Sequence, residues 1–250
     1  MGLYVAGDIH GDCKGILEYV RAKNLDNQDY VIVAGDFGCI WNGSKGENQR
    51  LDRISQELDG CNLAFVDGNH ENFNLLDKYP VEIWNGGKIH RIRPNIIHLM
   101  RGQMFLIEGK RIFCFGGARS QDIRDGLLRA DDKVQLLQQV RQLENQGRKL
   151  YRIVDVDWWE QEMPSEEEME DGRETLSQWG WKADFVISHC CPTQIQAEFS
   201  LGTYQPDILT DYLQELSEKL QFSSWYFGHY HQDMRVNQKF TMMYHKIWRI

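Results

Sequence analysis

Five short segments carry most of the side chains in this sequence that could do chemistry. They are Gly7-Asp8-Ile9-His10-Gly11, Gly35-Asp36, Gly68-Asn69-His70-Glu71, Ser188-His189 and Gly228-His229-Tyr230-His231. Five of the eight histidines fall in them, too large a share for scattered structural histidines. Imidazole, carboxylate and amide-oxygen donors together favour Mn, Fe, Zn or similar ions at octahedral-like N/O sites. No cysteine occupies a donor position, which disfavours a closed structural zinc site. Asp-x-His and His-x-His present two donors on one side of a strand end, because side chains at i and i+2 share a face. The glycines before Asp8, Asp36, Asn69 and His229 are expected to let the backbone turn sharply beside the ions.

Each segment follows a short apolar run, and these runs are the elements that must position the donors. Leu3–Ala6, Tyr30–Ala34, Leu63–Val66, Phe185–Ser188 and Trp225–Phe227 read as buried strands. Helical apolar spacing predicts helices over Cys13–Lys23, Asn48–Leu58, Asp131–Gly147 and Asp207–Leu220. Ser165 and Glu168 form a capping-box signature, so a helix is expected to run on to about Gln178. Short apolar strands alternating with helices imply βαβ units and a largely parallel sheet. In such sheets ligands bind beyond the carboxyl ends of the strands, where all five segments would converge. In the middle of the chain Ile96–Met100 and Met104–Ile107 look like strands, and Glu108-Gly109-Lys110 turns into Arg111–Phe115. The stretch Met234–Ile250 reads as a closing hairpin. The chain is expected to be one domain over residues 1–250, with 119–182 the segment that could be inserted as a cap.

Composition sets the outer bounds. The 250 residues are 42% hydrophobic and 26% charged, ordinary globular usage for a chain able to bury a sizeable core. No apolar run approaches the ~18 residues needed to span a bilayer, and no secretory signal is evident. A cytoplasmic protein with six free thiols is therefore expected. The net charge of −9 argues against a broad basic nucleic-acid surface. Phosphate substrates remain compatible with it, because two divalent cations would add about four positive charges locally. The oligomeric state is not legible.

Taken in order, GDIHG, GD, GNHE, SH and GHYH resemble the calcineurin-like metallophosphoesterase superfamily, over nearly the whole chain from Asp8 to His231. The resemblance implies an α/β four-layer sandwich, two mixed β-sheets flanked by helices. It implies two divalent cations, with Mn first and Fe, Zn, Ni or Co as alternatives. Asp8, His10 and His231 would hold one ion, Asn69, His189 and His229 the other, and Asp36 would bridge them. His70 would be the general acid or a clamp on the phosphate, with Asp36 the second catalytic residue. The substrate would be a small phosphate ester, with Asn69 and Arg119 the candidates to contact it.

Where relatives acting on phosphoproteins carry GD-x-x-D-R-G, this chain has Cys39 and Ile40 in place of the second Asp and the Arg. A phosphodiester or nucleotide is therefore favoured over a phosphoprotein or dinucleoside polyphosphate. A non-catalytic scaffold of the same fold is the reading from another class, but no ligand position is missing. Several residues have competing readings. Arg119 follows a Gly-Gly turn and suits a phosphate clamp, or an ion pair with Glu162. Trp158 and Trp159 could stack a base or pack in the core. The segment Trp41–Gly46 is a flap or a plain loop. Glu71 either supports a ligand or starts a helix, and Asp12 and Asp67 read as turn or cap residues.

Overall fold

The computed structural model describes residues 2–129 and 132–250. In chain order the strands are β1 (Leu3–Ala6), β2 (Tyr30–Val33), β3 (Asn62–Phe65), β4 (Val81–Trp84), β5 (Gly87–Arg93), β6 (Ile96–Leu99), β7 (Gln103–Ile107), β8 (Lys110–Phe115), β9 (Gly126–Leu128), β10 (Tyr151–Ile153), β11 (Phe185–Ser188), β12 (Ser224–Phe227), β13 (Met234–Arg235), β14 (Phe240–Met242) and β15 (Trp248–Arg249). The helices are α1 (Lys14–Lys23), α2 (Lys45–Glu57), α3 (Phe73–Leu76), α4 (Lys133–Asn145), α5 (Glu166–Gln178), α6 (Thr193–Ser200) and α7 (Ile208–Lys219). Among the described residues no helix is long and apolar enough to cross a membrane.

Two large mixed sheets hold most of the strands. The first runs β15-β1-β2-β3-β6-β5-β4 and the second β13-β14-β12-β11-β8-β7. β1, β2, β3 and β6 are mutually parallel, as are β8, β11, β12 and β14. Strand alternation then builds the layers. Val5, Ile32, Ala64 and Val66 of the first sheet meet Ile112, Cys114 and Ile187 of the second in one buried cluster between the sheets. Val31, Val33, Leu63 and Phe65 point the other way, onto Ile16, Leu17 and Val20 of α1 and Leu51 and Ile54 of α2. On the far side Phe113, Phe115, Val186 and Trp225 pack against Met169 and Leu176 of α5 and Leu209 and Leu213 of α7. Apolar residues on both faces of these strands are what produce continuous runs such as YVIV rather than alternation. The result is helices, sheet, sheet, helices: the expected four-layer sandwich.

The strand and helix boundaries expected from sequence mostly shift by a residue or two. Ser165 and Glu168 do form a reciprocal capping box on α5, and Asp207 forms one with Thr210 on α7. Glu108 and Gly109 both adopt positive φ between the paired Ile107 and Lys110, the geometry of a type I′ hairpin turn. The helix expected from Asp131 begins at Lys133 behind the N-cap Asp132; Asp131 itself lies outside the described residues. The C-terminal stretch departs from expectation. β13 and β14 pair in the second sheet, but β15 crosses to pair antiparallel with β1 in the first. It thus ties the two sheets together, which a local hairpin would not. Within residues 119–182, α5 lies in the outer helical layer, whereas α4 has no buried residue and β9 and β10 form a separate two-stranded sheet.

Beneath the loop after β3 lies a buried ion pair. Asp67, 1% exposed, accepts from Arg101 Nε at 2.8 Å and Nη2 at 2.6 Å, and sits 3.2 Å from His98 Nε2. His98 Nδ1 in turn faces His90 Nδ1 at 3.1 Å. His90 is pushed down to about 4, first by burial and then by His98. Burial alone would raise the Asp67 carboxyl, but Arg101 and His98 hold it well below the usual carboxylate range. Asp67 is thus a buried anchor rather than a simple turn residue, and its backbone leads directly into Gly68-Asn69. Arg101→Leu should leave that anion unpaired and destabilise the fold by about 3–5 kcal/mol, read as a lowered urea midpoint at unchanged slope. A loss below about 1 kcal/mol would mean that water or His98 compensates.

Candidate metal centre

The carboxyl ends of β1, β2 and β3 in one sheet face those of β11 and β12 in the other, and the donor segments meet at this seam. Asp8, His10, Asp36 and His231 each offer one atom, and these atoms all lie within 4.8 Å of one another. His231 Nε2 is 3.2 Å from Asp8 Oδ2 and 2.9 Å from His10 Nε2. His10 Nδ1 is 3.7 Å from Asp36 Oδ2. Two imidazoles and two carboxylates form a hard N/O donor set that fits a divalent transition ion.

A second group adjoins the first. His189 Nδ1 is 2.8 Å from the carbonyl oxygen of Ala34, which can only accept, so Nδ1 carries the proton and Nε2 is left as a free donor atom for a cation. That Nε2 lies 3.4 Å from Asp36 Oδ1 and 3.2 Å from Asn69 Oδ1. The orientation of the Asn69 amide follows from its other end. Ser120 Oγ donates to Glu162, and therefore accepts from Asn69 Nδ2 at 3.1 Å, which turns Oδ1 inward. In the neutral imidazole three acceptor atoms converge with no proton among them, an arrangement that a cation would satisfy. His229 lies beside this group, its ring 5.2 Å from that of His189, and its backbone N–H donates to both Asp8 oxygens at 3.1 Å.

Electrostatics keep most of these groups in donor form. Burial would raise the Asp36 carboxyl, but His189, His70 and His10 and the His70 N–H at 2.8 Å hold it below the ordinary range. His229 is pushed down to about 3 by burial and by His189. Burial also lowers His10, whereas the contact with Asp8 raises His231. A raised imidazole must release its proton to bind an ion, so protons compete for His231 in particular.

The backbone at the seam is unusual. His10, Asp36, His229 and His231 all have φ between 44° and 69°, the left-handed region that non-glycine residues seldom occupy. Glycine placement differs from expectation. At Gly68 and Gly228 φ is not positive. A Cβ at Gly68 would instead intrude on the Asp36 carboxylate, and one at Gly228 on that of Asp8. These glycines are required by the approach of a neighbouring donor, not by a turn.

His70 borders both groups. It is half-buried, its ring 5.4 Å from that of His10. Glu71 is not at a helix start: α3 begins at Phe73 behind the N-cap Asn72. Its carboxylate accepts from Phe37 N at 2.7 Å and Gly38 N at 3.2 Å and so braces the loop that carries Asp36. Cys39 and Ile40, in place of the missing Asp and Arg, are buried, and Cys39 Sγ rests 3.5 Å from Cys13 Sγ. Asp122 is lowered by its ion pair with Arg152, which outweighs burial, and His70 contributes to that lowering.

Other candidates fall outside the cluster. Arg119 is exposed and makes no ion pair among the described residues, and Glu162, its weighed partner, is engaged by Ser120. Trp159 is 1% exposed and packs edge-on to Trp41 at 5.4 Å, a core role rather than base stacking. The Trp41–Gly43 loop is tied down, with Glu47 accepting from the N–H groups of Trp41, Asn42 and Gly43 at 2.9 Å each, so it is not a free flap. Ser120, Glu162 and Asp122 are the functional candidates that motif reading missed. For Ser120 and Asp122 the only signal was position after β8, a strand parallel to donor-bearing β11; Glu162, in the turn before α5, had none.

A family model described as calcineurin-like phosphoesterase matches residues 1–233. Among curated proteins none matches the chain.

Gly228→Ala tests the packing at the seam. The added methyl would intrude on both the Asp8 carboxylate and the Ala34 carbonyl that orients His189, and the affinity for Mn should fall by at least about tenfold in a calorimetric titration, with an unchanged far-ultraviolet spectrum. Affinity within twofold of the parent would show that Asp8 can yield without leaving the donor set.

Proposed function

The chain belongs to the calcineurin-like phosphoesterase family, and from that premise we propose that it is a two-cation hydrolase of phosphodiesters or nucleotides. The observation that supports this most directly is the pair of adjoining donor groups joined by Asp36, whose Oδ2 faces His10 while Oδ1 faces His189. Asp8, His10 and His231 would hold one cation, Asn69, His189 and His229 the other, with Asp36 shared. The N/O donor set admits Mn, the ion the family resemblance puts first, with Fe, Zn, Ni and Co as alternatives. When bound, such ions lower the pKa of water and neutralise phosphoryl oxygens.

The chain's own residues supply the rest. Asp36 keeps the two donor groups in register, and Glu71 holds the Asp36 loop through Phe37 and Gly38. Ser120 and Glu162 aim the Asn69 oxygen. His70 is placed to hold a proton for the leaving oxygen, since it borders the donor group at His10. Cys39 and Ile40 leave the site without the Asp and Arg that would clamp a dianionic monoester, and a diester, with a single charge at phosphorus, needs that clamp less. Arg119 is retained as a substrate contact by position only. Six buried free thiols suit a reducing compartment, which supports a cytoplasmic setting.

Metal counting separates the two donor groups. Protein saturated with Mn should hold two equivalents by elemental analysis. Ser120→Ala should weaken the second equivalent by about 10–100-fold while sparing the first, and Asp36→Asn should weaken both. A firm single equivalent retained in Asp36→Asn would sink the two-cation reading.

His70→Ala should keep both metals and lose about 10²–10⁴-fold in kcat on esters with poor leaving groups. On the parent protein with Mn, kcat/KM for bis(4-nitrophenyl) phosphate and 2′,3′-cyclic nucleotides should exceed that for a phosphoserine peptide. A tenfold advantage for the peptide, about 1.4 kcal/mol in the transition state, would favour a phosphoprotein phosphatase. Absence of hydrolysis of all esters despite bound metal would favour a scaffold.

A further inference from the structure

A cavity of about 540 Å³ opens directly beside the first donor group, with Asp8 and His10 in its wall. Its size is that of a small-molecule cleft. Tyr19 and Tyr244 provide two aromatic walls, and Ile9, Ile16 and Ile247 provide aliphatic ones. The Tyr244 ring also stacks on the His231 ring, with centroids 4.6 Å apart and planes at 15°, so the aromatic wall continues into the donor group. No Lys or Arg lines the cavity, and its charged residues besides Asp8 and any protonated histidine reduce to Asp12 at the rim. His70 is not part of the lining, so the cavity lies apart from the candidate proton donor to the leaving group.

These features select a ligand. An anionic extension such as a polyphosphate or an acidic peptide would meet two carboxylates and no Lys or Arg. A neutral planar ring would meet two tyrosines and a hydrophobic floor. Reach is not in question, since Asp8 and His10 belong to both the cavity wall and the donor group. We propose that this cavity is the subsite for the retained substituent of a phosphodiester, and that it takes an aromatic group such as a nucleobase. The proposal rests on the phosphoesterase reading above for the position of the phosphate, and it adds which substituent the protein selects.

Gly15 gives the means to test it. It lines the cavity from α1, its φ is not positive, and a Cβ built on it meets nothing within 4 Å. Gly15→Phe therefore places a bulky ring at the cavity wall with room for its Cβ, and replacing a glycine within a helix does not weaken it. Tyr19→Ala removes an aromatic wall instead.

The first measurement is calorimetric titration of the Mn-loaded protein with phenylphosphonate and methylphosphonate, neither of which can be hydrolysed. The parent should prefer the phenyl compound by about tenfold or more, the scale expected for burying one ring. In Gly15→Phe the preference should collapse to within twofold, with methylphosphonate bound as in the parent, and Tyr19→Ala should show a partial loss. No preference in the parent, or a preference undiminished in Gly15→Phe, overturns the proposal. The second measurement compares KM for bis(4-nitrophenyl) phosphate and methyl 4-nitrophenyl phosphate, which share a leaving group and differ only in the retained substituent. The aryl diester should have the lower KM in the parent and lose that advantage in Gly15→Phe. If neither ester is hydrolysed, the phosphoesterase reading fails, while the phosphonate titration still decides the cavity.

Discussion

Cation-binding atoms crowded against one another at the seam of two sheets are the constraint on which this site depends. His189 Nε2, Asp36 Oδ1 and Asn69 Oδ1 point into a common space, and His10, His231, Asp8 and Asp36 crowd a second one beside it. In a buried seam such an arrangement is unfavourable in itself. It persists because each acceptor is oriented from behind: Ala34 carbonyl holds His189, Ser120 holds Asn69, and the His229 N–H holds Asp8. The orienting groups leave the inward-facing atoms no rotational escape. That is the property expected of a preorganised cation site, where the supporting contacts matter nearly as much as the donors.

The same constraint explains the backbone. Four donor residues occupy the left-handed region, at a cost of order 1–3 kcal/mol each in such conformations. The surrounding contacts over-determine them. The N–H groups of Ile9 and His10 both reach the carbonyl of Asp36, at 3.2 and 2.9 Å, and that of Gly11 reaches Phe37 at 2.8 Å. Glu71 then fixes Phe37 and Gly38 from beneath. Burial and the Asp36 charge raise the Glu71 carboxyl well above the usual range, so the brace is itself electrostatically strained against the donor that it supports. Stability has been exchanged for geometry at the seam, while the three apolar clusters between layers carry the fold.

What lies outside the seam divides into rigid and peripheral parts. The Asp67–Arg101 pair ties the β3 loop to the loop after β6, and Arg101 also reaches Glu168 of α5 at 3.2 Å and the carbonyl of Gln161 at 2.7 Å. One guanidinium thus joins the loop that leads to Asn69 to the turn before α5 and to α5 itself. By contrast, β9, α4 and β10 contribute nothing to the three clusters and connect to the body through contacts such as Asn74 with Asp155. On this side Arg152 of β10 pairs with Asp122, which ties the excursion to the loop after β8.

The order of donor types was readable in the chain because each donor sits at the end of a continuous apolar run. Burial on both faces of a strand leaves that signature in local composition. Strands lacking it were missed. β4 is an edge strand with Val81 and Ile83 exposed, and β9 and β10 are three residues each. The supporting residues Ser120, Glu162 and Asp122 carry no local signature either, because an orienting hydrogen bond between residues 42 or 51 positions apart leaves no period in a sequence. The crossing of β15 to the first sheet, the close approach behind Gly68 and Gly228, and the cavity beside Asp8 are likewise long-range outcomes. Sequence by itself determined which groups could act and on which strand ends they stand, since those are properties of neighbours in the chain. Only the tertiary structure decided which atoms of those groups face inward, because that is settled by contacts between segments that meet solely through the packing of two sheets.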